Sequence, residues 1–159
     1  MGIEIERKFL LKNDAWKKSD AKPLVLKQGY IKNSKESVVR IRTSGSTGFI
    51  TVKGRTRNAK RLEYEYEIPV KDAEEMLDKL CDKPLVEKKR YTIDHGGFQW
   101  SVDQFLGANL GLVVAEIELE TEEQAFEPPS WIGKEVTEDP RYFNSNLIAS
   151  PYSNWKERS

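Results

Sequence analysis

Polar and apolar residues alternate along most of this chain, and the alternation predicts strands. In residues 3–10, Glu4, Glu6 and Lys8 share one face, and Ile3, Ile5, Arg7 and Phe9 share the other. The same period of two recurs at 24–32, 37–43, 49–54, 61–70, 85–94, 98–105 and 112–120. Turn-forming clusters separate these runs: Asn33-Ser34-Lys35, Ser44 to Gly48, His95-Gly96-Gly97, and Gly107 to Gly111. One segment, 71–81, switches to helical spacing through Ala73, Met76, Leu77 and Leu80, and Pro84 follows its end. Short helical turns are expected at 13–18, from a capping box at 121–124, around Trp131 and over 140–149. The chain from Ser150 onward is expected to fray.

The polar faces are more charged than a wetted sheet requires. They carry Glu4, Glu6, Glu63, Glu65, Glu67, Asp103, Glu116, Glu118 and Glu120, with Lys8, Arg40, Arg42, Lys53, Lys88 and Arg90. Three successive carboxylates on one strand face, Glu116, Glu118 and Glu120, repel one another, and an ordinary surface gains nothing from that. The opposite faces are rich in Ile, Val, Leu and Tyr, as packing against outer helices requires. An α+β fold follows: about eight antiparallel strands closing into a barrel, with a polar lumen and helices packed outside.

Composition sharpens this reading. The 159 residues hold 26 basic and 26 acidic side chains, so net charge gives no reason to expect nucleic acid or an acidic membrane as partner. No apolar run approaches the roughly 18 residues of a membrane span. With Cys81 the single cysteine, an internal disulfide and a cysteine-based metal cluster are excluded, and a cytoplasmic home fits. There is no Gly-rich phosphate loop and no HExxH, and His95, the single histidine, falls in a turn. A lumen lined by both signs needs a ligand of both signs. Paired carboxylates suit hard divalent cations, and arginines with lysines suit phosphate oxygens. A metal-chelated polyphosphate meets both demands.

The opening Glu4-Ile5-Glu6-Arg7-Lys8 resembles the ExExK signature of the CYTH superfamily, the triphosphate tunnel metalloenzymes. It is followed in order by Gln28-Gly29-Tyr30, Arg40-Ile41-Arg42, Thr51-Val52-Lys53, Glu63-Tyr64-Glu65, Glu87 to Tyr91, Asp103, Glu116-Ile117-Glu118 and Gly133 to Thr137. The resemblance implies one tunnel domain over 1–150, with 151–159 as a tail. It implies that Lys8, Arg40, Arg42, Lys53, Lys88 and Arg90 bind the triphosphate. Glu4, Glu6, Asp103, Glu116 and Glu118 would be metal ligands, directly or through water, with Glu63 and Glu65 in the tunnel wall. Tyr30 and Lys88 take the catalytic positions, although an ordinary tyrosine pKa near 10 favours a metal-activated water over Tyr30 as the base.

The implied activity is hydrolysis of inorganic tripolyphosphate to pyrophosphate and phosphate with Mg2+ or Mn2+, two ions in all. Alternatives are a class IV adenylate cyclase, another nucleoside or thiamine triphosphatase, and a noncatalytic polyphosphate-binding module. The basic loop at 55–60 is a candidate lid, and a homodimer is a candidate assembly.

Overall fold

A computed structural model describes residues 2–155. Among them are nine strands and one α-helix: β1 (Ile3–Leu11), β2 (Leu24–Asn33), β3 (Ser37–Ser44), β4 (Thr47–Gly54), β5 (Lys60–Ile68), α1 (Val70–Lys79), β6 (Val86–His95), β7 (Phe98–Phe105), β8 (Val113–Glu118) and β9 (Ile132–Glu135). The sheet runs β5-β4-β3-β2-β6-β7-β8-β1-β9, and a further β5–β1 pairing closes its first eight strands into an antiparallel barrel. The closing seam is short, Ile3 to Leu62, Glu4 to Arg61 and Ile5 to Lys60. β9 lies outside the ring, paired only with β1 through Phe9–Glu135 and Leu11–Ile132.

The eight barrel strands are those the alternation predicts, with no end shifted by more than two residues. The last of them stops at Glu118, short of the expected Glu120, which is exposed. The expected helix at 121–124 is a turn, in which the Gln124 side chain accepts a hydrogen bond from Glu120 N at 2.7 Å. The expected helical turn at Trp131 gives way to β9, because Lys12 N reaches Trp131 O and draws the segment alongside β1. The tail also departs from expectation. Tyr152 is buried and Trp155 stacks edge-on against it and Tyr142, whereas 156–159 lie outside the described residues.

With charges turned inward, two of the three apolar cores lie outside the barrel wall. One joins Ile5, Phe9, Trp100, Val102, Ala115 and Ile117 of β1, β7 and β8 to Trp16 and Trp131. A second joins Val86, Phe105 and Val114, which share the lumen-facing parity of Lys88, Asp103 and Glu116, to Tyr142, Leu147 and Tyr152 of the C-terminal segment, and so fills one end of the barrel. The third sits under α1, between Ala73 and Leu77 and the wall residue Ile41. The wall is not clad everywhere. Ile3, Val52, Leu62, Tyr64 and Tyr66 on the outer face of β1, β4 and β5 are exposed, contrary to the expectation that outer helices cover every apolar face. Among the described residues no helix is long and apolar enough to cross a membrane.

Gly29 explains the middle of the Gln28-Gly29-Tyr30 motif. A Cβ there would stand 2.7 Å from Leu85 Cδ2 and 2.8 Å from Cys81 Cβ, too close for either to stay in place. Absence of a side chain lets β2 run directly beneath the α1–β6 connection, with Gln28 and Tyr30 turned to the lumen. Gly29→Ala should therefore cost about 2 kcal/mol, the usual scale of overpacking. That lowers Tm by roughly 4–8 °C for a chain of this size. Thermal unfolding measures it, and an unchanged midpoint would show that the connection yields freely.

Candidate active site

The lumen forms a cavity of about 210 Å³. Glu4, Glu6 and Lys8 reach it from β1, Tyr30 from β2, Arg40 and Arg42 from β3, Lys53 from β4, Glu63 and Glu65 from β5, Lys88 and Arg90 from β6, and Glu116 and Glu118 from β8. Period-two alternation thus brings together every expected site residue except Asp103. Around the ring, β8, β1 and β5 are neighbours and carry the carboxylates, while β4, β3 and β6, with β2 between the last two, carry most of the bases. The lumen has an acidic arc and a basic arc facing each other.

Asp103 is placed differently from the other expected site residues. It does not line the cavity. Its carboxylate accepts from Arg90 Nε at 2.7 Å and Arg90 Nη2 at 2.8 Å, and Lys88 Nζ lies 2.7 Å from Oδ2. Buried and with both oxygens engaged, it anchors two cations. Burial opposes its ionisation, but Lys88 and Arg90 prevail and hold it below the usual carboxylate range.

The basic arc is short of anions. Arg42 gives both Nε and Nη2 to Gln28 Oε1, at 2.9 and 2.6 Å, and makes no ion pair among the described residues. Burial, then the neighbouring Arg40 and Arg90 guanidiniums, push Arg42 down to about 9. Arg40 Nη2 reaches Glu65 Oε2 and Thr51 Oγ1, both at 3.2 Å, but its buried Nε has no partner. Burial also pushes Lys88 down to about 7, against the pull of Asp103. Three crowded, desolvated guanidiniums and an orphaned N–H are what a polyanion would satisfy.

The acidic arc is crowded in the opposite sense. The Glu6 and Glu116 carboxyl groups hydrogen-bond to each other; burial, then Glu116 and Glu4, push Glu6 well above the usual range. Burial likewise opposes the Glu4 carboxylate, but Lys53, a hydrogen bond with Glu63 and Arg61 outweigh it and hold Glu4 at about 2. Glu63 and Glu118 are both raised, by burial first, and then chiefly by hydrogen bonding to Glu4 and by the Glu4 charge respectively. A proton shared by two facing carboxylates marks a place that a cation can take. Among the described residues no three acidic, histidine or cysteine side chains already surround one point. Carboxylates arriving in pairs suit Mg2+, which keeps waters and phosphate oxygens as its other ligands.

Several contributors were not singled out from the sequence. Arg61 Nε lies 3.1 Å from Glu4 Oε1 and lines the lumen. It shares the parity of Glu63 and Glu65, so the alternation does carry its signal. Thr56, Asn58 and Ala59 of the proposed lid loop line one end, where Ala59 O accepts from Glu6 N at 3.0 Å. Phe143, Asn144 and Ser145 line the cavity from the C-terminal segment, and no periodicity announces them. Tyr30 is buried, its hydroxyl accepts from Gln28 Nε2 at 2.8 Å, and burial raises its pKa.

The CYTH domain profile matches residues 2–152. The chain belongs to the CYTH family. Metal dependence is typical of that family. An inorganic triphosphatase of Acetivibrio thermocellus is 55% identical over 157 residues, 99% of this chain and 100% of that protein. An inorganic triphosphatase of Nitrosomonas europaea is 39% identical over 151 residues, covering 92% and 97%. A crystal structure of an inorganic triphosphatase matches with a TM-score of 0.67 at 35% identity, over 92% of this chain and 95% of that one. A putative adenylate cyclase from Bacillus halodurans shares the CYTH fold at a TM-score of 0.57, with 18% identity over 77% of this chain and 84% of that one.

The acidic arc of this CYTH tunnel should trade stability for binding. The Glu6 carboxyl titrates higher in the folded chain than in the unfolded one, so ionising it costs stability as pH rises above the ordinary carboxylate range. In chelator at pH 7.5, Glu6→Gln should gain about 1 kcal/mol, roughly 2–4 °C in Tm. Below pH about 4 the gain should vanish, because the carboxyl is then protonated in both states. A pH series of melting curves decides it, and a Tm that falls at pH 7.5 would refute the crowding.

Proposed function

We propose that this chain hydrolyses inorganic tripolyphosphate to pyrophosphate and phosphate inside the tunnel. The observation that carries the reading is the pair of facing arcs in a lumen cavity of about 210 Å³. That volume lies below the roughly 300–1,000 Å³ of pockets that take drug-sized molecules. It suits a bare phosphate chain better than a nucleotide. The relatives named inorganic triphosphatases, matched over nearly their whole length, support the same substrate.

Arg40, Arg42 and Arg90 would take the non-bridging oxygens of the chain, with Lys8, Lys53 and Lys88 adding point charges. Asp103 keeps Arg90 and Lys88 fixed, so little reorganisation is needed as charge moves onto the leaving pyrophosphate. Glu4, Glu6, Glu116 and Glu118 would hold Mg2+ or Mn2+, two ions in all. Bound there, such ions polarise phosphoryl oxygens and lower the pKa of water. The raised pKa of Tyr30 makes it a poor base; as a neutral phenol its hydroxyl can donate to a phosphate oxygen while Gln28 fixes it in place. Attack in line with the departing pyrophosphate then needs only positioning and charge compensation from these side chains.

Phosphate release from tripolyphosphate, ATP and thiamine triphosphate tests the reading. With Mg2+ or Mn2+, tripolyphosphate should turn over well ahead of the other two, and chelation should abolish turnover. Cyclic AMP and pyrophosphate from ATP would instead make it a cyclase, and no turnover of any of the three a binding module. Arg42→Ala should raise KM for tripolyphosphate about 10- to 100-fold, the loss of one charge-assisted contact. An unaltered KM would remove Arg42 from the substrate set.

A further inference from the structure

Two of the ammonium groups assigned to phosphate end on one short stretch of chain. Lys8 Nζ donates to the backbone carbonyl of Tyr142 at 2.8 Å. Lys88 Nζ, besides its 2.7 Å pair with Asp103, donates to the side-chain carbonyl of Asn144 at 3.0 Å. Both of these acceptors are uncharged. Every other cation of the lumen except Arg42 meets a carboxylate there.

The stretch is a fixed wall. Tyr142 and Leu147 are buried among Val86, Phe105 and Val114. Asn33 Nδ2 donates to Ser145 O at 2.7 Å, and Asn146 Nδ2 to Pro140 O at 2.8 Å. Two successive 3-10 turns, Pro140–Tyr142 and Asn144–Leu147, leave Phe143, Asn144 and Ser145 facing the cavity. The carbonyl oxygens therefore stand at set points in front of Lys8 and Lys88.

We propose that Asn144 is a positioning residue, a neutral place-holder that keeps Lys88 aimed into the lumen and yields it to a phosphate oxygen of the substrate. A hydrogen bond from an ammonium to a phosphate, with charge on both partners, is stronger than one to a neutral amide oxygen. Exchange of the amide for the substrate is then favourable. Neutrality is the essential property. A carboxylate of the same shape would grip the ammonium and repel the incoming anion. Loss of the group would leave Lys88 to Asp103 alone, still free to meet a phosphate oxygen but no longer aimed at a set one.

The inference rests on the tripolyphosphatase reading, and the test separates the two. Asn144→Asp and Asn144→Ala are compared with the unaltered protein, each first checked for an intact melting transition. Tripolyphosphate binding is measured by calorimetry in chelator, and turnover is measured with Mg2+. Asn144→Asp should weaken metal-free binding about 10-fold or more and raise KM in step. Asn144→Ala should bind tripolyphosphate at least as tightly as the unaltered protein, with the loss confined to kcat. A merely structural role would move both variants in the same direction and leave no split between KM and kcat. Asn144→Asp binding as well as the unaltered protein, or Asn144→Ala losing affinity as Asn144→Asp does, overturns the place-holder alone. Failure of the unaltered protein to bind or turn over tripolyphosphate overturns both.

Discussion

An ionised side chain removed from water must find an opposite charge, and the whole molecule is arranged around that requirement. Closing eight strands into a ring puts carboxylates, ammonium groups and guanidiniums into one small lumen. The compensation within the protein is incomplete by design of the sequence. Asp103 satisfies Arg90 and Lys88, Glu4 is shared by Lys53 and Arg61, and Glu65 meets Arg40. Arg42 on one side and Glu6 on the other are left to be completed from outside, while Glu116 meets Arg90 at 3.4 Å. A bare anion or a bare cation would relieve one arc only. A metal-bound polyphosphate relieves both, which links the electrostatics of the lumen to the chemistry proposed for it.

The apolar cores follow from the same inversion. A sheet that turns its charges inward must find most of its oil on the outside, and the chain supplies it piecemeal: α1 over Ile41, and Trp16 and Trp131 over Trp100, while the C-terminal segment packs on Phe105 and Val114 at one end of the lumen. The pieces packed on the barrel also act at the site. The segment that buries Tyr142 carries Asn144 to Lys88, and the turn after β4 brings Ala59 to Glu6.

Period two made the strands and nearly the entire charged lumen legible, because in a barrel parity alone decides which face a residue takes. Parity says nothing of partners. Asp103 shares the lumen-facing parity of its strand, yet the two cations beside it take up its oxygens, a fact set by β6–β7 register that pairs Arg90 with Asp103. Arg61 was overlooked although it obeys the rule, since it directly follows a basic loop and reads as part of it. The stretch from Trp131 to Trp155 was the least legible. Its short strand and 3-10 turns have no period of their own, and their positions depend on contacts with residues more than a hundred places earlier, such as Arg7 with Glu135 and Lys8 with Tyr142.

The strict separation of faces has a consequence for how the chain reaches this shape. In a strand, slipping by one residue exchanges the two sides. Were β8 to slip against β1, Glu116 would be driven beneath Trp100 and Trp131 while Ile117 turned toward the arginines. Many sheets carry only mild polar residues on the wetted side, and a slipped pairing there is a tolerable error. Here each wrong alignment would strand ionised groups in oil. The side chains that await a ligand in the finished barrel thus also police the alignment of its staves while it assembles, long before any ligand is met.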